Sequence, residues 1–572
     1  FQGGSWRDFS WAQVGRLAAR WQRGLEAEGL APGDRVAVSL RNGVDWVAFD
    51  QAALGLGLVV VPLYTTDSPD NLIHILADSG SRLLLIDASG RWSTLAQRGP
   101  ALPALQRVLC VDGPRPTASG PSDDKRLRPL ADWLPPEGGT PVDRVQDPRA
   151  LATLVYTSGT TGPPKGVMLS HRAILWDAEA VQRRIPARPT DLFLSFLPLA
   201  HAFERTVGYY LPMMAGSCVA YARSVEQLRH DLLAVRPTVL LSVPRVYDRV
   251  YLAIQTKLGE HSARRLLFEA AVAIGWRRFQ AAQGRASPPG PLGRLLWSLL
   301  EPRVARPVMD RLGGRLRVAV SGGAPLSPAV ARLFLGLGLP LTEGYGLTEA
   351  APVVSGDAPA DCVPGSVGRA LPGIEVALSP KGELLVRAPS LMSGYWGHPE
   401  ATRETIDGEG WLHTGDLAEI GEGVIRIRGR LKEILVTSSG EKVPPADMEL
   451  ALTLDPLFDQ ALVVGEGRPY LAALLVLNPQ AWADLAAGLD LDPEDPGALA
   501  NGRVLQRTQE RVRARLKGFP GYAQVRAIHL SLEPWTIENG LLTPTLKVKR
   551  ERLESRFDAA IQGLYRHRAI PR

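Results

Sequence analysis

The residues best suited to chemistry stand in one loop, which reads TSGTTGPPKG at residues 157–166. Its glycines permit positive φ and close approach of the backbone, its hydroxyls can donate hydrogen bonds to phosphate oxygens, and its lysine supplies a compact cation. The candidate phosphate ligands are Thr157, Ser158, Gly159, Thr160, Thr161, Gly162 and Lys165. This combination predicts a loop that binds a polyphosphate.

Two other interpretations of the loop compete with this one. A Walker P-loop requires Gly before the lysine and Ser or Thr after it, whereas Pro164 precedes Lys165 and Gly166 follows it. The spacing therefore excludes a Walker loop. A glycine-rich turn between two strands, with no ligand, is the simpler alternative that composition alone leaves open.

Size, charge and cysteine content narrow the class of protein. The 572 residues are 45% hydrophobic and 22% charged, which allows a large core and more than one domain. The longest apolar run, around residues 54–63, is shorter than the roughly 18 residues that span a bilayer. The three cysteines, Cys110, Cys218 and Cys362, lack metal-site spacing and favour a reducing cytoplasm. The net charge of +6 accompanies no recognised nucleic-acid module, so we expect no nucleic-acid partner.

Helical and extended patterns alternate along the first part of the chain. Apolar residues recur at helical spacing after Ser10, and further helix and strand patterns follow in turn. The predicted helices cover residues 10–29, 46–54 and 68–79, and the predicted strands cover 58–62, 82–86, 154–156, 191–199, 238–243 and 337–341. This alternation predicts an α/β fold with a mostly parallel sheet. Residues 113–147 have the composition of a surface loop.

Two glycine-punctuated turns follow later strands. One reads SGGAPL within residues 318–327, and the other reads TEGYGLTEA at residues 342–350. In an open α/β sheet, the carboxyl ends of neighbouring strands form a crevice where ligands bind. We therefore expect both turns to line one crevice.

The string TSGTTGPPKG closely resembles the phosphate loop of the adenylate-forming superfamily, which includes acyl-CoA synthetases, non-ribosomal peptide adenylation domains and firefly luciferase. The stretches GYGLTE, WLHTGDL, GRLKE and LLTPTLKVKR resemble further motifs of that superfamily. VPRVYDRVY and the arginine-rich segment after it resemble the long-chain fatty acyl-CoA synthetase branch, closest to its bacterial members. The resemblance implies formation of acyl-AMP and pyrophosphate from a fatty acid and ATP, followed by acyl transfer to CoA.

The resemblance also implies a domain organisation. Residues 1–429 would form a large N-terminal AMP-binding domain of mainly parallel α/β sheets, with a small β-rich subdomain at about residues 362–428. Residues 430–432 would be the hinge, and residues 433–572 a smaller, mobile α+β lid domain. Lys432 is the expected hinge residue.

The same resemblance assigns the nucleotide site. In the superfamily, the SGGAPL-type turn lines the adenine site, the equivalent of Tyr345 stacks on the base, and Thr348 and Glu349 hold the α-phosphate and Mg²⁺. Carboxylate and hydroxyl oxygens suit Mg²⁺, and we expect Thr157 and Glu349 as its ligands. The other nucleotide-site residues that the resemblance implies are Gly322, Gly323, Ala324, Pro325, Glu343, Gly344, Gly346 and Ile427.

Two residues would contact the ribose. Asp416 would accept hydrogen bonds from its hydroxyls, although a purely structural aspartate is the simpler reading of the residue alone. Arg430 would contact the same sugar. The residues on the CoA side would be Ser438, Ser439, Gly440, Glu441 and Lys442.

The candidate catalytic residues are Thr348 and Glu349, already named, and two more, His201 and Lys547. A lone histidine is more often structural, but His201 follows a strand end, and in the family it would orient or gate the acyl carboxylate. Lys547 corresponds to the catalytic lysine of the lid, although Leu546 stands where many relatives have Gly. Lys549, two residues on, is the natural comparator because it faces the other way in an extended segment.

The arginine-rich segment at residues 262–317 has two interpretations. An ordinary helical pair with one solvated face is the simpler, and a basic amphipathic surface that rests on anionic lipid is the more specific. The expected partners are thus fatty acid, ATP and CoA, with an anionic membrane and a second copy of the chain as further candidates. The sequence opens FQGG without Met or a basic and apolar leader, so no secretory signal is visible in it, and this opening is compatible with a missing upstream segment. Residues 1–3 fit either a tag remnant or native sequence.

Three other functions compete with a long-chain acyl-CoA synthetase. A fatty acyl-AMP ligase would load a carrier protein instead of CoA, and a medium-chain or aromatic acid-CoA ligase would take a different acid. A non-catalytic nucleotide- or acyl-binding protein is the alternative from another class. The presence of Lys165, Glu349, Asp416 and Lys547 argues against it.

Overall fold

Two large sheets carry most of the chain in this computed structural model, and two small sheets follow in the C-terminal region. The structure describes residues 1, 4–98, 102–112, 124–145, 147–157, 163–258, 263–495 and 497–566. The large sheets have eight and eleven strands, and the C-terminal region adds sheets of two and three strands.

Helices and strands alternate along most of the chain. The helices are α1 (Trp11–Ala27), α2 (Val44–Gly55), α3 (Pro69–Ser79), α4 (Ser89–Arg98), α5 (Leu130–Trp133), α6 (His171–Arg184), α7 (Ala202–Arg205), α8 (Leu211–Ala215), α9 (Leu228–Val235), α10 (Pro244–Leu258), α11 (Ala263–Ala282), α12 (Pro291–Leu300), α13 (Arg306–Arg311), α14 (Pro328–Gly336), α15 (Pro399–Thr405), α16 (Pro445–Thr453), α17 (Pro479–Ala487), α18 (Gly502–Arg515), α19 (Arg550–Arg556) and α20 (Asp558–Arg566). The strands are β1 (Arg35–Ser39), β2 (Val59–Pro62), β3 (Leu83–Ile86), β4 (Arg107–Cys110), β5 (Leu127–Pro129), β6 (Leu151–Thr157), β7 (Lys165–Ser170), β8 (Leu192–Ser195), β9 (Cys218–Tyr221), β10 (Val239–Ser242), β11 (Val318–Ser321), β12 (Leu341–Gly346), β13 (Val353–Gly356), β14 (Arg369–Ala370), β15 (Glu375–Leu378), β16 (Glu383–Arg387), β17 (Gly394–Tyr395), β18 (Leu412–Gly421), β19 (Val424–Arg430), β20 (Leu435–Val436), β21 (Lys442–Val443), β22 (Phe458–Val464), β23 (Leu471–Leu477) and β24 (Val525–Ser531). π-Helical turns occupy Thr206–Tyr210 and Glu301–Ala305.

The first sheet has the strand order β17-β7-β6-β2-β1-β3-β4-β5. Strands β1 to β6 run parallel, and β7 and β17 add antiparallel partners at one edge. Every residue of β2 and β3 is buried, as expected for parallel strands with helices on both faces. The predicted parallel sheet is confirmed, and the first predicted helix is capped by Ser10, which forms a capping box with Gln13.

The second sheet has the order β15-β16-β18-β19-β14-β13-β12-β11-β10-β8-β9. In one half of the sheet, neighbouring strands among β8 to β12 pair in parallel. In the other half, β12 to β16, β18 and β19 pair antiparallel with their neighbours. The change of direction takes place within β12. Leu341 to Glu343 pair with β11, whereas Gly344 to Gly346 pair with β13.

Three sequence-based expectations need correction. The strand predicted at residues 337–341 begins only at Leu341, because Leu337 caps α14. The short strands expected of a β-rich subdomain exist, but they continue the second sheet through the pairing of β14 with β19. The predicted loop at residues 113–147 contains β5 and α5, and its residues 113–123 and 146 lie outside the described residues.

Most buried apolar residues from Leu435 onward pack into core clusters of their own, whereas Leu454 packs with a core cluster of the N-terminal region. The antiparallel pair β22–β23 and the parallel pair β23–β24 form a sheet whose faces are covered by different helices. All seven residues of β23 are buried, because it is the central strand. This agrees with the mixed α+β character expected there. Across the described part of the chain, no helix has both the length and the apolar character that crossing a membrane requires.

A buried ion pair ties together the elements behind the predicted phosphate loop. Asp50 on α2 pairs with Arg205 of α7, and both side chains are almost completely buried. Arg205 also donates to Thr153 Oγ1 on β6 at 2.8 Å, and the Tyr210 hydroxyl donates to Asp50 at 2.8 Å. Burial disfavours the charge on Arg205, but the Asp50 carboxylate together with Tyr210 and Tyr209 outweighs burial and raises the arginine pKa.

We expect Asp50→Ala to lower the free energy of unfolding by about 3–5 kcal/mol, because it leaves the buried Arg205 charge without its partner. The measurement is denaturant unfolding of the full chain. Glu179→Ala is the matched control, since Glu179 pairs with Arg183 on an exposed surface and should cost less than about 1 kcal/mol. Equal losses in the two variants would contradict a supporting role for the buried pair.

Candidate functional site

The centre of the site is Asp416, which strand β18 presents next to the end of β12. The Tyr345 hydroxyl donates to Asp416 Oδ2 at 2.6 Å, and Arg430 Nε lies 3.2 Å from Oδ1. Asp416 and Arg430 are direct partners across β18 and β19, so the sheet register sets their contact. Burial, and then the Asp416 carboxylate, raise the pKa of Tyr345, which stays protonated as the donor. Asp416 is therefore held on both of its oxygens.

A second contact joins Glu349 to the lysine of the phosphate loop. The Tyr395 hydroxyl donates to Glu349 Oε1 at 2.8 Å, and the Lys165 ammonium lies 5.4 Å from the centre of the Tyr395 ring. This distance is within the range of a cation–π contact. Tyr395 is on β17, directly opposite Val167 of β7.

Tyr395 was missed in the sequence. Its only signal is an aromatic residue between two glycines in SGYWG, which carries no chemistry of its own. The connection depends on β17 joining the first sheet beside β7, and such long-range pairing is not visible in local sequence.

The two described ends of the predicted phosphate loop belong to the antiparallel strands β6 and β7. Thr157 and Lys165 face each other at its base. His74 Nε2 lies 3.2 Å from the carbonyl oxygen of Pro164 and holds one end of the loop. A Cβ at Gly166 would lie 3.0 Å from the Tyr156 ring, so a larger residue would not fit without movement. The other predicted phosphate ligands, Ser158, Gly159, Thr160, Thr161 and Gly162, lie outside the described residues.

The SGGAPL turn approaches the helix that follows His201. Gly322 is buried, and a Cβ there would lie 3.3 Å from the Phe203 ring. Gly323 has φ 80°, which favours glycine, and Ala324 and Pro325 are exposed. The turn is thus fixed at one end and open to solvent at the other.

The glycines at the end of β12 are constrained by the neighbouring strand. A Cβ at Gly346 would lie 2.1 Å from the carbonyl oxygen of Pro352, so only glycine fits. A Cβ at Gly344 would make a tighter-than-usual contact at 3.4 Å. Glu343 directly precedes Gly344 in the same strand. Burial raises the pKa of its carboxyl to about 8, so this group is protonated at neutral pH. Glu343 thus acts here as a neutral group.

His201 caps helix α7 and faces the site as a neutral imidazole. Its Nδ1 accepts a hydrogen bond from the Phe203 N–H at 3.2 Å, so Nε2 carries the proton. Burial, and then the charge of Lys547, lower the pKa of His201 to about 4. His201 can therefore donate a hydrogen bond to a carboxylate without adding a charge.

Lys547 reaches the site from the C-terminal region. Burial and Arg430 lower its pKa, while Asp416, Glu433 and Glu349 act in the opposite direction. The side chain is accessible to solvent although protein surrounds it on several sides, as expected in an open cleft. The predicted catalytic lysine and the predicted ribose and Mg²⁺ residues thus share one electrostatic environment.

The turn that presents Lys547 is held by its own backbone and by the N-terminal region. The Thr543 N–H donates to the Lys547 carbonyl at 2.8 Å, and Arg245 of α10 donates to the Leu546 carbonyl at 3.2 Å. Leu546 has φ 60°, in the left-handed region. This conformation explains why a glycine suits the position in relatives of the motif.

The comparator Lys549 has different neighbours. Burial and Arg552 lower its pKa, and Asp67 acts in the opposite direction. None of these groups belongs to the set formed by Asp416, Tyr345 and Arg430, which we call the Asp416 cluster. Its backbone N–H donates to the Leu541 carbonyl at 2.9 Å.

Other predicted residues lie at the edge of the site or apart from it. Thr348 is in a short turn directly before Glu349, and Ile427 is a half-buried residue of β19. Lys432 is exposed in the turn Leu431–Glu433. The CoA-side residues form the exposed turn between β20 and β21, and among the described residues no hydrogen bond or ion pair joins this turn to the Asp416 cluster. The structure does not bring the two sets together.

Comparison with known proteins agrees with this architecture. Residues 1–396 match the family described as AMP-binding enzyme, and residues 432–569 match the AMP-binding enzyme C-terminal domain. The long-chain-fatty-acid–CoA ligase FadD15 of Mycobacterium tuberculosis is 32% identical over 98% of this chain and 93% of its own length. The peroxisomal long chain acyl-CoA synthetase 7 of Arabidopsis thaliana is 32% identical over 98% of this chain and 82% of its own.

Solved structures share the fold at lower sequence identity. The adenylation domain of a carboxylate reductase from Mycobacterium chelonae has a TM-score of 0.74 at 24% identity, covering 97% of this chain and 84% of that one. ATP-bound MatB from Rhodopseudomonas palustris has a TM-score of 0.68 at 23% identity, covering 96% and 94%. Since two family matches cover most of the sequence and full-length relatives exceed 30% identity, the chain belongs to the AMP-binding enzyme family.

Proposed function

We propose that this protein is an AMP-forming long-chain fatty acyl-CoA synthetase. It converts a fatty acid and ATP to acyl-AMP and pyrophosphate, and then acyl-AMP and CoA to acyl-CoA and AMP. The observation that carries the proposal is the position of Lys547, which enters the environment of Glu349, Asp416 and Arg430 from the C-terminal region. Near-full-length similarity to two proteins named for long-chain acyl-CoA synthesis supports the acid class.

The first half-reaction requires attack of one anion on another. A fatty carboxylate oxygen forms a bond to the α-phosphorus of ATP, and the bond to pyrophosphate breaks. No enzyme nucleophile is needed, so the protein contributes positioning and charge neutralisation. Lys547 supplies a positive charge beside the α-phosphate, and Lys165 supplies one at the β- and γ-phosphates.

A neutral histidine positions the fatty acid, and a carboxylate held by two partners positions the ribose. The Nε2–H of His201 donates to the fatty carboxylate, and because the imidazole is uncharged it orients the nucleophile without weakening it. Tyr345 and Arg430 fix the Asp416 carboxylate, which accepts from the ribose hydroxyls. The Tyr345 ring stacks on the adenine base.

Mg²⁺ fits the donor set of this site. The Tyr395 hydroxyl uses one lone pair of Glu349 Oε1, so the carboxylate retains oxygens for a cation, and the Thr157 hydroxyl adds another hard ligand. Mg²⁺ usually binds one or two carboxylates together with substrate phosphates. When bound, it would neutralise charge on the phosphates of ATP.

The second half-reaction uses a different arrangement of the two domains. We propose that residues 1–429 and 433–572 are the domains and that 430–432 are the hinge, with Lys432 absorbing the rotation. Lys432 is exposed within a three-residue turn, where a change of φ and ψ disturbs little packing. Rotation would carry Lys547 away and bring the Ser438–Lys442 turn to the CoA side. The protein would work in the cytoplasm, with peripheral membrane contact.

We expect pyrophosphate release to rise with acid chain length toward long-chain substrates and acyl-CoA to form only when CoA is present. The measurement is pyrophosphate release and product analysis across saturated acids of increasing length, with and without CoA. Accumulation of acyl-AMP that CoA does not consume would favour a carrier-dependent ligase instead. A preference for short or aromatic acids would overturn the long-chain assignment.

We expect Lys547→Ala to slow acyl-AMP formation by about 10² or more, a loss of roughly 3 kcal/mol in transition-state stabilisation. Thioester formation from supplied acyl-AMP and CoA should stay within a few fold, because the lysine leaves the site for that step. Single-turnover measurement of each half-reaction separates the two effects.

Two further variants serve as controls for this result. Lys549→Ala should change little, since its charge faces Asp67 and Arg552. Lys432→Pro should spare adenylation and slow thioester formation, because it fixes φ at the proposed hinge. The rotating-lid account would be wrong if Lys547→Ala slowed both half-reactions equally.

We expect Glu349→Gln to slow adenylation by about 10² and to raise the Mg²⁺ concentration needed for half-maximal rate. Tyr395→Phe should give a smaller loss, about 10-fold, because it frees the Glu349 carboxylate without removing it. Tyr522→Phe, at an exposed tyrosine in the C-terminal region, is the matched control. An unchanged Mg²⁺ dependence in Glu349→Gln would remove this residue from the metal site.

A further inference from the structure

Helix α12 presents a row of leucines to solvent. Leu292, Leu295, Leu296 and Leu299 are 68%, 60%, 40% and 48% exposed. Their spacing of three and four residues places them on one face of the helix. We call these four residues the leucine face. An amphipathic helix of a water-soluble surface would normally turn such a row toward the core, so its orientation here is unusual.

The opposite side of α12 is anchored to the protein. Leu300 is buried, and Trp297 packs against α11, where its ring would lie 2.8 Å from a Cβ at Gly275. The Arg278 guanidinium lies 5.2 Å from the centre of the Trp297 ring. These contacts fix the rotation of the helix, so the leucine face cannot turn inward without losing them.

The first turn of the neighbouring helix α11 adds to the exposed apolar surface. Leu266 and Leu267 are 70% and 54% exposed, whereas Phe268 and Ala271 of the same helix are buried. Helices α11 and α12 pack against each other. The unusual exposure thus involves two packed helices and not a single residue.

The charge of the surrounding segment is strongly positive. Residues 263–317 contain eleven arginines and only three carboxylates, Glu269, Glu301 and Asp310. The exposed arginines are Arg264, Arg277, Arg278, Arg285, Arg294, Arg303, Arg306, Arg311 and Arg315. Glu269 is already paired with Arg265 at 2.8 Å. The apolar row therefore stands in a field that attracts anions.

We propose that the leucine face docks on the surface of an anionic phospholipid bilayer, with its leucines among the acyl chains and the arginines at the lipid phosphates. Apolar side chains on one side and clustered arginines around them match an interfacial helix. A symmetric contact with a second copy of the chain fits less well, because it would bring two arginine-rich surfaces together. The inference goes beyond the proposed reaction, since lipid binding needs no catalysis.

The test is cosedimentation of the full chain with vesicles, without ATP or CoA. Vesicles of mixed phosphatidylglycerol and phosphatidylcholine should bind the protein at least about 10-fold more tightly than vesicles of phosphatidylcholine alone at low salt. The variant Leu292→Ser/Leu295→Ser/Leu299→Ser should lose at least about 10-fold in binding to the anionic vesicles. Arg264→Gln and Arg294→Gln should each lose about 5-fold, and this loss should shrink as salt rises.

Matched controls separate the leucine face from exposed leucines in general. The variant Leu175→Ser/Leu233→Ser/Leu378→Ser changes three exposed leucines on other elements and should bind vesicles as the parent does. Pyrophosphate release with a soluble medium-chain acid, measured without vesicles, should be unchanged in the leucine-face variant. This readout keeps failure of lipid binding separate from failure of the proposed reaction.

Three results would overturn the proposal. One is binding to anionic vesicles that the leucine-face variant retains. Another is an equal loss in the control variant. The third is absence of vesicle binding together with a dimer, seen by analytical ultracentrifugation, that the leucine-face variant abolishes, since the occupant of the face would then be a second copy of the chain.

Discussion

The site depends on strand β12 changing its pairing partner halfway along its length. Its first residues pair in parallel with β11, and its last residues pair antiparallel with β13. Because one strand belongs to both halves of the sheet, β12 leaves the parallel half at Glu343, and its antiparallel end presents Tyr345 to Asp416 at 2.6 Å. Only glycine fits at Gly346, where β13 comes too close for a side chain. The packing of the sheet thus sets the position of the predicted nucleotide residues.

The positive charges of the site are stabilised by carboxylates placed near them by other parts of the fold. Arg430 and Lys547 repel each other, and each is stabilised by carboxylates that lie in other strands or turns. Two other titratable groups are neutral, because burial lowers the pKa of His201 to about 4 and raises that of Glu343 to about 8. Two potential charges are therefore absent at neutral pH. This leaves a limited set of fixed charges available for anionic substrates.

Local sequence predicted the elements and motifs that depend on neighbouring residues. The parallel sheet, the capped first helix and the glycine turns all follow from spacing and residue type. The sequence did not predict Tyr395, because its role comes from β17 joining a distant hairpin. It also misplaced the strand before TEGYG, since the apolar run at residues 337–341 serves first to end α14. The exposure of the α12 leucines could not be predicted either, because an amphipathic pattern does not show which side of the helix faces the protein.

The left-handed conformation of Leu546 bears on how such a motif is inherited. A leucine with positive φ costs about 1–2 kcal/mol in the folded state, while glycine would cost about 0.5–1 kcal/mol through the greater freedom of the unfolded chain. The two penalties are similar in size, so leucine and glycine should give nearly the same stability at this position. The position therefore has to supply the left-handed backbone conformation of the turn that presents Lys547, and leucine supplies it at about the same cost as glycine would.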